Sequence, residues 1–415
     1  MATVAPFKGF IPKADMAEKV AALPYDVMST KEAKEMAKGN PHSFLHVEKS
    51  EIVFPDDFDG HSEPVYQKAS ENLEKMIADG VFIQSAEPCF YIYKQVMGKV
   101  AQTGLVAGYS VEEYDKQIVK KHELTRKDKE DDRVNNVDKC NANTGLVFLT
   151  YPHQKQIDEL VAKITSRKPY IDYVAVDKIV HTLWIVEDKS EIEKFVKLFE
   201  GLKYLYIADG HHRSAAASRV CAMRKARNQN HSGKEGYNFC LAVIFPDNQL
   251  NCMDYNRVLK DMNGLTPETL LAKLREKFIV NEIKVKDAND AKPQKRREMA
   301  MYLDNKWYKM CIKDEFVSKD PVKSLDVSIL QDNVLAPFFD IKDPRTDKRI
   351  DFVGGIRGMD GLVKRCHEDC KVAFALFATG IDQLMAIADA GEIMPPKSTW
   401  FEPKLRSGMI VKSLD

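Results

Sequence analysis

The segment that most constrains the fold is a short strand that breaks at a glycine and leads directly into a helix. Tyr204–Ala208 has the composition of a buried strand, Asp209-Gly210 breaks it, and the alanine-rich stretch Ser214–Val220 favours a helix directly afterwards. A glycine at such a turn lets backbone N–H groups approach an anion, and the helix N-terminus adds partial positive charge. The segment therefore predicts a strand-turn-helix unit that binds phosphate.

Three potential cations follow this glycine in the first helical turn. His211, His212 and Arg213 are unfavourable there for the helix itself, which indicates that they face a negative group. Arg213 can donate two parallel hydrogen bonds to a phosphate, and Asp209 can orient a histidine or bind Mg²⁺. The simpler alternative is a capped helix start with two incidental histidines. Zinc is a weaker alternative, because adjacent histidines rarely bind one metal together.

The hydrophobic pattern around the turn predicts an α/β (α+β) protein in three regions. With 415 residues the chain is too long for one compact core. We predict an N-terminal α+β region over residues 1–88, a mixed-sheet core with the phosphate turn over 89–262, and a C-terminal α+β domain over 263–415. The predicted core strands are Cys89–Val96, Thr103–Val111, Gly145–Tyr151, Tyr173–Val176, Thr182–Val186, Tyr204–Ala208 and Phe239–Phe245. The predicted helices include Gln154–Ser166, Ser190–Gly201, Ser214–Asn228, Thr266–Lys277, Met359–Asp369 and Ile381–Ala390.

Composition argues against several classes of protein. Lys+Arg and Asp+Glu balance at 62 each, which disfavours binding of nucleic acid through excess positive charge. No apolar run approaches the roughly 20 residues of a membrane span, and the first ten residues do not resemble a signal peptide. The eight cysteines are scattered, several in apolar strand-like runs, as free thiols in a reducing compartment are. We therefore expect a cytoplasmic protein.

Two further segments carry side chains suited to catalysis or binding. His122-Glu123 lies among positive charges, and a carboxylate beside a histidine is a reasonable general base, although the stretch through Arg133 is also typical of a solvated helix face. The segment Pro395–Thr399 presents Lys397, Ser398 and Thr399 on a proline-stiffened loop, a combination suited to phosphate or carboxylate. The alternative there is a proline stop after a helix. Asp26, in Pro24–Val27, belongs either to a substrate loop or to a capped turn.

These motifs together resemble a bacterial family of unknown function, DUF1015. The motifs that carry the resemblance over nearly the whole chain are Pro24–Val27, Phe44–Val47, Lys121–Thr125, Glu130–Arg133 and Ile207–Arg213. The family name supplies no reaction.

A more distant resemblance, to the archaeal free-serine kinases, implies one. The ordered features are His122-Glu123, then Asp209–Arg213 after a strand, then a Pro-Lys-x-Thr motif at 396–399 after a helix. The resemblance implies a ParB- and sulfiredoxin-like mixed-sheet core flanked by α+β regions. By analogy, Glu123 takes the serine hydroxyl proton with His122 beside it. Asp209 and the segment His211–Arg213 hold phosphate and Mg²⁺, and Lys397 with Thr399 holds the substrate or product phosphate. Beyond the analogy, Gly210 is a further expected cofactor-binding residue, and Ser398 and Asp26 are further expected substrate-binding residues. This chain departs from the kinase in an additional N-terminal region of roughly a hundred residues.

The resulting expectation is a phosphotransferase that interconverts L-serine and O-phospho-L-serine with ATP or ADP and Mg²⁺. Its partners would be small molecules, with no membrane and no nucleic acid, and a homo-oligomer is left open. A nucleotide-dependent ParB-like DNA-binding regulator is the alternative, against which the neutral net charge weighs. Sulfiredoxin-like chemistry ranks last, because it needs a cysteine in the phosphate turn, where this chain has His211-His212.

Overall fold

The computed structural model describes all 415 residues, and the chain forms two compact units. Unit 1 comprises Met1–Lys121, Thr125–Leu250 and Pro403–Asp415, and unit 2 comprises His122–Leu124 and Asn251–Glu402. The bounds of these two units differ from the bounds of the three predicted regions. Residues 1–88 and 89–250 share unit 1, the later boundary lies at 250 instead of 262, and the C-terminal segment belongs to unit 1 because its strand pairs with the N-terminal part of the chain.

The secondary-structure elements are numbered in chain order. The strands are β1 Val4–Ala5, β2 Gly9–Pro12, β3 Phe82–Gln84, β4 Phe90–Met97, β5 Val100–Ser110, β6 Val119–Lys120, β7 Ala142–Asn143, β8 Val147–Tyr151, β9 Ile171–Val174, β10 Val180–Val186, β11 Leu205–Asp209, β12 Phe239–Pro246, β13 Cys252–Met253, β14 Tyr255–Leu259, β15 Phe278–Ile283, β16 Glu298–Leu303, β17 Lys306–Ile312, β18 Ile350–Gly354, β19 Val372–Leu376, β20 Trp400–Phe401 and β21 Val411–Ser413. The α-helices are α1 Ala17–Val20, α2 Thr30–Ala37, α3 Leu45–Glu48, α4 Glu63–Ala78, α5 Val111–Asp115, α6 Lys127–Cys140, α7 Lys155–Thr165, α8 Lys189–Glu200, α9 His211–Arg227, α10 Pro267–Lys277, α11 Asp326–Leu330, α12 Ala336–Phe339, α13 Gly358–Glu368 and α14 Ile381–Asp389.

A nine-stranded mixed sheet forms the centre of unit 1. Its order is β6-β11-β8-β12-β5-β4-β10-β9, and β1 pairs with β5 at the side. The pairs β6–β11 and β8–β12 are parallel, and the remaining pairs are antiparallel. Apolar side chains of β8, β11 and β12 pack with those of α7 and α8 in one buried cluster. All seven predicted core strands are confirmed to within a few residues.

A second, four-stranded sheet completes unit 1 and fixes both ends of the chain. Its order is β3-β2-β21-β7, so the C-terminal strand β21 lies between β2 and β7. Helices α2, α3 and α4 contribute buried side chains to the core beside it, including Ala33, Leu45 and Leu73. The C-terminal segment 403–415 is therefore part of the fold of unit 1.

An antiparallel six-stranded sheet in the order β15-β17-β16-β19-β14-β18 organises unit 2. Helix α13 packs Met359 and Leu362 against it. The sequence prediction missed β14, β15 and β16. Strand β16 is buried at every position, so Glu298–Leu303 shows none of the polar/apolar alternation that marks a half-exposed strand. Between α11 and α12, the chain forms a π-helical turn at Gln331–Leu335.

None of the helices combines the length and the apolar character that crossing a membrane requires.

A buried carboxyl group in unit 2 generates a test of this fold. Asp326 Oδ1 accepts a hydrogen bond from the Arg297 backbone N–H at 2.9 Å, while Oδ2 is buried without a hydrogen-bond partner. Burial raises the pKa of Asp326 to about 6. The folded state therefore binds the proton of the Asp326 carboxyl group more tightly than the unfolded chain does. As a result, the free energy of unfolding falls as the pH rises from about 4 to 6.

We expect Asp326→Asn to stabilise the protein at pH 7.5, because the variant no longer ionises a buried group. The gain should be at most about 3 kcal/mol and should shrink at pH 4.5. Thermal unfolding at both pH values measures it, with the exposed Asp57→Asn as the control. An equal gain at both pH values would contradict the burial of an ionised Asp326.

Candidate functional site

The strand-turn-helix segment has a backbone suited to an anion. Strand β11 loses its register with β8 between Ile207 and Asp209, and Gly210 follows with φ 93° and ψ 29°. A side chain is strained in that conformation, and a Cβ on Gly210 would lie 3.4 Å from Val147 Cα. Helix α9 begins at His211, three residues before the predicted start, and no side chain caps it. The predicted turn geometry is confirmed.

Asp209 is held as a carboxylate at this turn. Its Oδ1 accepts the Gly210 backbone N–H at 2.8 Å, and its Oδ2 lies 2.8 Å from the Lys404 ammonium. Burial alone would raise the pKa of Asp209, but Lys404, followed by His211 and Arg213, lowers it to about 2. Its side chain is still 40% exposed, which leaves the carboxylate open to a ligand.

The two histidines differ in their surroundings. His211 is buried, whereas His212 is partly exposed and its Nε2 accepts the Arg126 backbone N–H at 3.1 Å. This hydrogen bond ties the start of α9 to the start of α6, and it places the proton of a neutral His212 on Nδ1. Contact of either ring with phosphate stays a prediction.

Arg213 points into the interior of unit 1. Its Nη1 donates to the Leu146 carbonyl at 3.0 Å, and its Nη2 lies 3.5 Å from Glu48 Oε2. The side chain is only 13% exposed and packs so closely on Gly145 that a Cβ there would lie 2.6 Å from the guanidinium carbon. Although burial opposes it, Glu48 raises the pKa of Arg213. The bidentate phosphate contact predicted for Arg213 would require this guanidinium to leave Glu48.

Arg213 belongs to a buried charge cluster, which consists of Glu48, Asp132, Arg133 and Arg213. Arg133 lies 2.7 Å from Asp132 Oδ2 and 3.3 Å from Glu48 Oε2, and the Tyr25 ring lies 3.9 Å from the Arg133 guanidinium. Asp132 also contacts His61 and Tyr66 through Oδ1. The stretch through Arg133 was open to interpretation as a solvated face, but α6 buries Asp132 and Arg133.

The predicted substrate residue Asp26 also lies in unit 1, on the short 3₁₀ helix Tyr25–Val27. Its side chain is exposed and acts electrostatically on Arg213 and Tyr25. Asp26 and Asp209 are the predicted site residues of unit 1 that offer carboxylate oxygens, the ligands that Mg²⁺ prefers.

In unit 2, the His122-Glu123 segment lies against the chain that leads into the proline loop. The His122 carbonyl accepts the Met394 backbone N–H at 2.8 Å. His122 is buried, and Glu123 is partly exposed. Two of the predicted segments are therefore neighbours within this unit.

The proline loop, Pro395–Thr399, presents fewer side chains to a ligand than the sequence predicted. Ser398 is buried, its hydroxyl donates to the Pro395 carbonyl at 2.6 Å, and its own carbonyl accepts from Thr379, so this hydroxyl closes the loop. Lys397 is exposed at φ 58°, a region that few non-glycine residues occupy. Arg257, buried below, donates to the Pro396 carbonyl at 3.2 Å. Lys397 is exposed and Thr399 is partly exposed, and binding of a ligand by either stays a prediction.

Sequence reasoning missed Lys404, Glu48 and Arg257. Lys404 lies 195 residues from Asp209 along the chain, and Glu48 lies in a motif-flanking helix without an obvious partner. No local pattern connects such residues, because pairing between distant segments is decided by the fold.

Comparison with known proteins assigns the family. The family model described as a protein of unknown function, DUF1015, matches residues 4–328. The chain belongs to the DUF1015 family. All the motifs that carried the resemblance, from Pro24 to Arg213, lie within the matched residues, and the proline loop lies after them. No curated protein sequence matches it.

Several solved structures are similar to parts of the DUF1015 protein. A glutamate-to-alanine variant of a free serine kinase in complex with AMP is 13% identical, with a TM-score of 0.36, and the match covers 70% of this chain and 85% of that one. A conserved hypothetical protein from Pyrococcus furiosus is 12% identical, with a TM-score of 0.35 and coverage of 72% and 91%. SbnI from Staphylococcus aureus, truncated at its C-terminus, is 9% identical, with a TM-score of 0.36 and coverage of 73% and 85%.

The charge cluster predicts a large cost for Glu48→Gln. The substitution removes the carboxylate that faces two buried guanidinium groups, so we expect a loss of about 3–5 kcal/mol of unfolding free energy. Urea denaturation measures it, with Asp343→Asn as the control. Asp343 pairs with Arg345 on the surface, and that change should cost less than about 1 kcal/mol. Equal losses would show that the cluster contributes no more than a surface pair.

The positive φ of Gly210 predicts that a side chain at this position would destabilise the protein. Gly210→Ala forces a side chain into the left-handed region and should cost about 1–2 kcal/mol. Gly60 has room for a Cβ in ordinary contact with Glu51 and has no positive φ, so Gly60→Ala is the matched control. Thermal unfolding of the two variants compares them. If Gly210→Ala is as stable as the control, the backbone strain assigned to the turn is wrong.

Proposed function

We propose that this protein is a Mg²⁺-dependent phosphotransferase that interconverts L-serine and O-phospho-L-serine, with ATP or ADP as the partner nucleotide. The observation that carries the proposal is the turn at Gly210. A strand ends there, a left-handed glycine follows, and a helix of 17 residues begins without a side-chain cap. Such a start combines backbone donors with a favourable dipole, and it binds phosphate groups in many proteins.

The charged groups of unit 1 support the same interpretation. Although burial opposes ionisation, Lys404, His211 and Arg213 lower the pKa of Asp209 to about 2. The carboxylate therefore stays ionised at neutral pH and can hold a divalent cation. Asp26 offers a second, exposed carboxylate. When bound, Mg²⁺ would neutralise phosphate charge, while Gly210, His211 and His212 position the phosphates. Arg213 fixes the first turn of α9 from within the buried cluster.

Unit 2 supplies the groups proposed for the amino acid. The His122 carbonyl binds the Met394 N–H, so the segment with Glu123 is anchored beside the start of the proline loop. We assign Glu123 as the general base and Lys397 with Thr399 as binders of the substrate or product phosphate. Ser398 shapes the loop through its hydrogen bond to Pro395.

Serine as the substrate rests on the resemblance of the ordered sequence motifs to those of the free-serine kinases. Glu123 would accept the hydroxyl proton as the serine oxygen attacks the terminal phosphorus and the bond to the leaving nucleotide oxygen breaks. In the opposite direction, the protonated Glu123 would return the proton. Phosphoryl transfer depends mainly on positioning and charge stabilisation, so the same groups serve both directions.

The assay uses the purified full-length protein with Mg²⁺ and either ATP plus L-serine or ADP plus O-phosphoserine. Phosphorus NMR and mass spectrometry would follow the conversion. We expect serine and phosphoserine to interconvert in both mixtures and to stop when EDTA is added. If no interconversion occurs with any phosphoryl donor or acceptor, the substrate assignment is wrong.

The base assignment has its own test. Glu123→Gln removes the proton acceptor, and we expect kcat to fall by about 10²–10⁴-fold, with little change in thermal stability. The exposed Glu392→Gln in the same unit is the control and should keep its activity. Full activity in Glu123→Gln would refute the base while leaving the reaction itself standing.

A further inference from the structure

The C-terminal segment delivers a lysine to the phosphate turn. Lys404 Nζ lies 2.8 Å from Asp209 Oδ2, although 195 residues separate the two in the chain. The lysine side chain is 13% exposed and the aspartate side chain is 40% exposed. An ammonium group therefore covers one oxygen of the carboxylate, while much of that carboxylate still faces solvent.

Two buried amide side chains hold the backbone of this lysine. Gln95 on β4 and Gln102 on β5 are fully buried, and their amide groups donate to the carbonyls of Lys404 at 2.9 Å and Pro403 at 3.2 Å. Burial of a polar amide is unfavourable unless it is hydrogen-bonded. The central sheet thus contains two amide side chains whose hydrogen bonds fix the position of the backbone at Lys404.

The residues after Lys404 are anchored as well. Arg406 forms an ion pair with Asp177 and donates through Nε to His181 at 3.4 Å. Backbone hydrogen bonds join Ser407 to Ala22 in both directions. The backbone at Lys404 is therefore fixed on both sides, whereas its four-carbon side chain can rotate toward a neighbouring group.

We propose that Lys404 is a phosphate-binding lysine of the turn and that, before nucleotide binds, its ammonium occupies the place of a divalent cation on Asp209. This inference rests on the proposed function and adds a residue to it. On binding of the nucleotide with its metal ion, the ammonium transfers from the Asp209 carboxylate to a phosphate oxygen, and Asp209 becomes a ligand of the cation.

Charge balance favours such an exchange. An ammonium beside a carboxylate repels a second cation at that carboxylate and so weakens metal binding in the nucleotide-free protein. The phosphate brings the negative charge that draws the ammonium away. Each charge then keeps an opposite charge beside it throughout, and lysine suits this role because it is a compact point charge on a flexible stem.

Loss of the ammonium should therefore have opposite effects on two ligands. In the full-length Lys404→Met variant, we expect Mn²⁺ without nucleotide to bind more tightly by on the order of tenfold, as measured by electron paramagnetic resonance. Isothermal titration should show ATP binding in the presence of Mg²⁺ weakened by a similar factor. The exposed Lys168→Met should match the wild type in both measurements. Adding Asp209→Asn to Lys404→Met should abolish the gain in Mn²⁺ affinity.

The outcomes separate this inference from the proposed function. If Lys404→Met binds Mn²⁺ and ATP as the wild type does, the inference is overturned. If Mn²⁺ affinity rises but neither protein binds ATP, Lys404 does occupy the cation position, and the nucleotide-dependent reaction fails instead. Circular dichroism checks the fold, and Lys404→Gln, which removes the charge but keeps a polar N–H donor, should give the same shifts if the methionine variant does not fold.

Discussion

One buried glutamate shared by two arginines links distant segments in the interior of unit 1. Glu48 is almost inaccessible, and it faces Arg133 of α6 and Arg213 of α9, while Tyr25 packs against both guanidinium groups. The removal of one partner from a buried ion pair leaves an uncompensated charge, which costs far more than the intact pair contributes. Four segments distant in sequence must therefore be in place together, and the first turn of α9 is one of them.

This arrangement changes which side chains serve the phosphate turn. The Arg213 guanidinium faces Glu48 in the interior, and Glu48 therefore already compensates its charge. Through this contact Arg213 stabilises the start of α9. Asp209 lies at the turn itself, where it pairs with Lys404 of the C-terminal segment. A phosphate there would meet backbone donors and the Lys404 ammonium, while the Arg213 guanidinium stays beside Glu48 in the core. The interior ion pairs thus hold the start of α9, while the ion pair of Asp209 with Lys404 lies at the turn itself.

Local pattern predicted much of the fold and the position of the turn. The alternation of apolar strands with helices located seven of the nine strands in the central sheet of unit 1, and Asp209-Gly210 marked the break between β11 and α9. Prediction failed where burial removes periodicity, as in β16, and where hydrogen bonds join distant segments, as when β21 enters the sheet beside β2. The proline loop was recognised, but the closing hydrogen bond of Ser398 depends on a side-chain direction that composition does not give.

The sequence by itself determined where the chain turns between the buried strand and the helix. Residue 210 is a glycine, and glycine readily adopts the φ of 93° that this turn requires. It also determined which chemical groups the chain offers at Glu123, Asp209 and Lys397. The tertiary structure alone decided that Arg213 faces Glu48 and that Lys404 faces Asp209. The physical reason is that a charge finds its partner through burial and distance in space, and neither is encoded in the neighbouring residues of the chain.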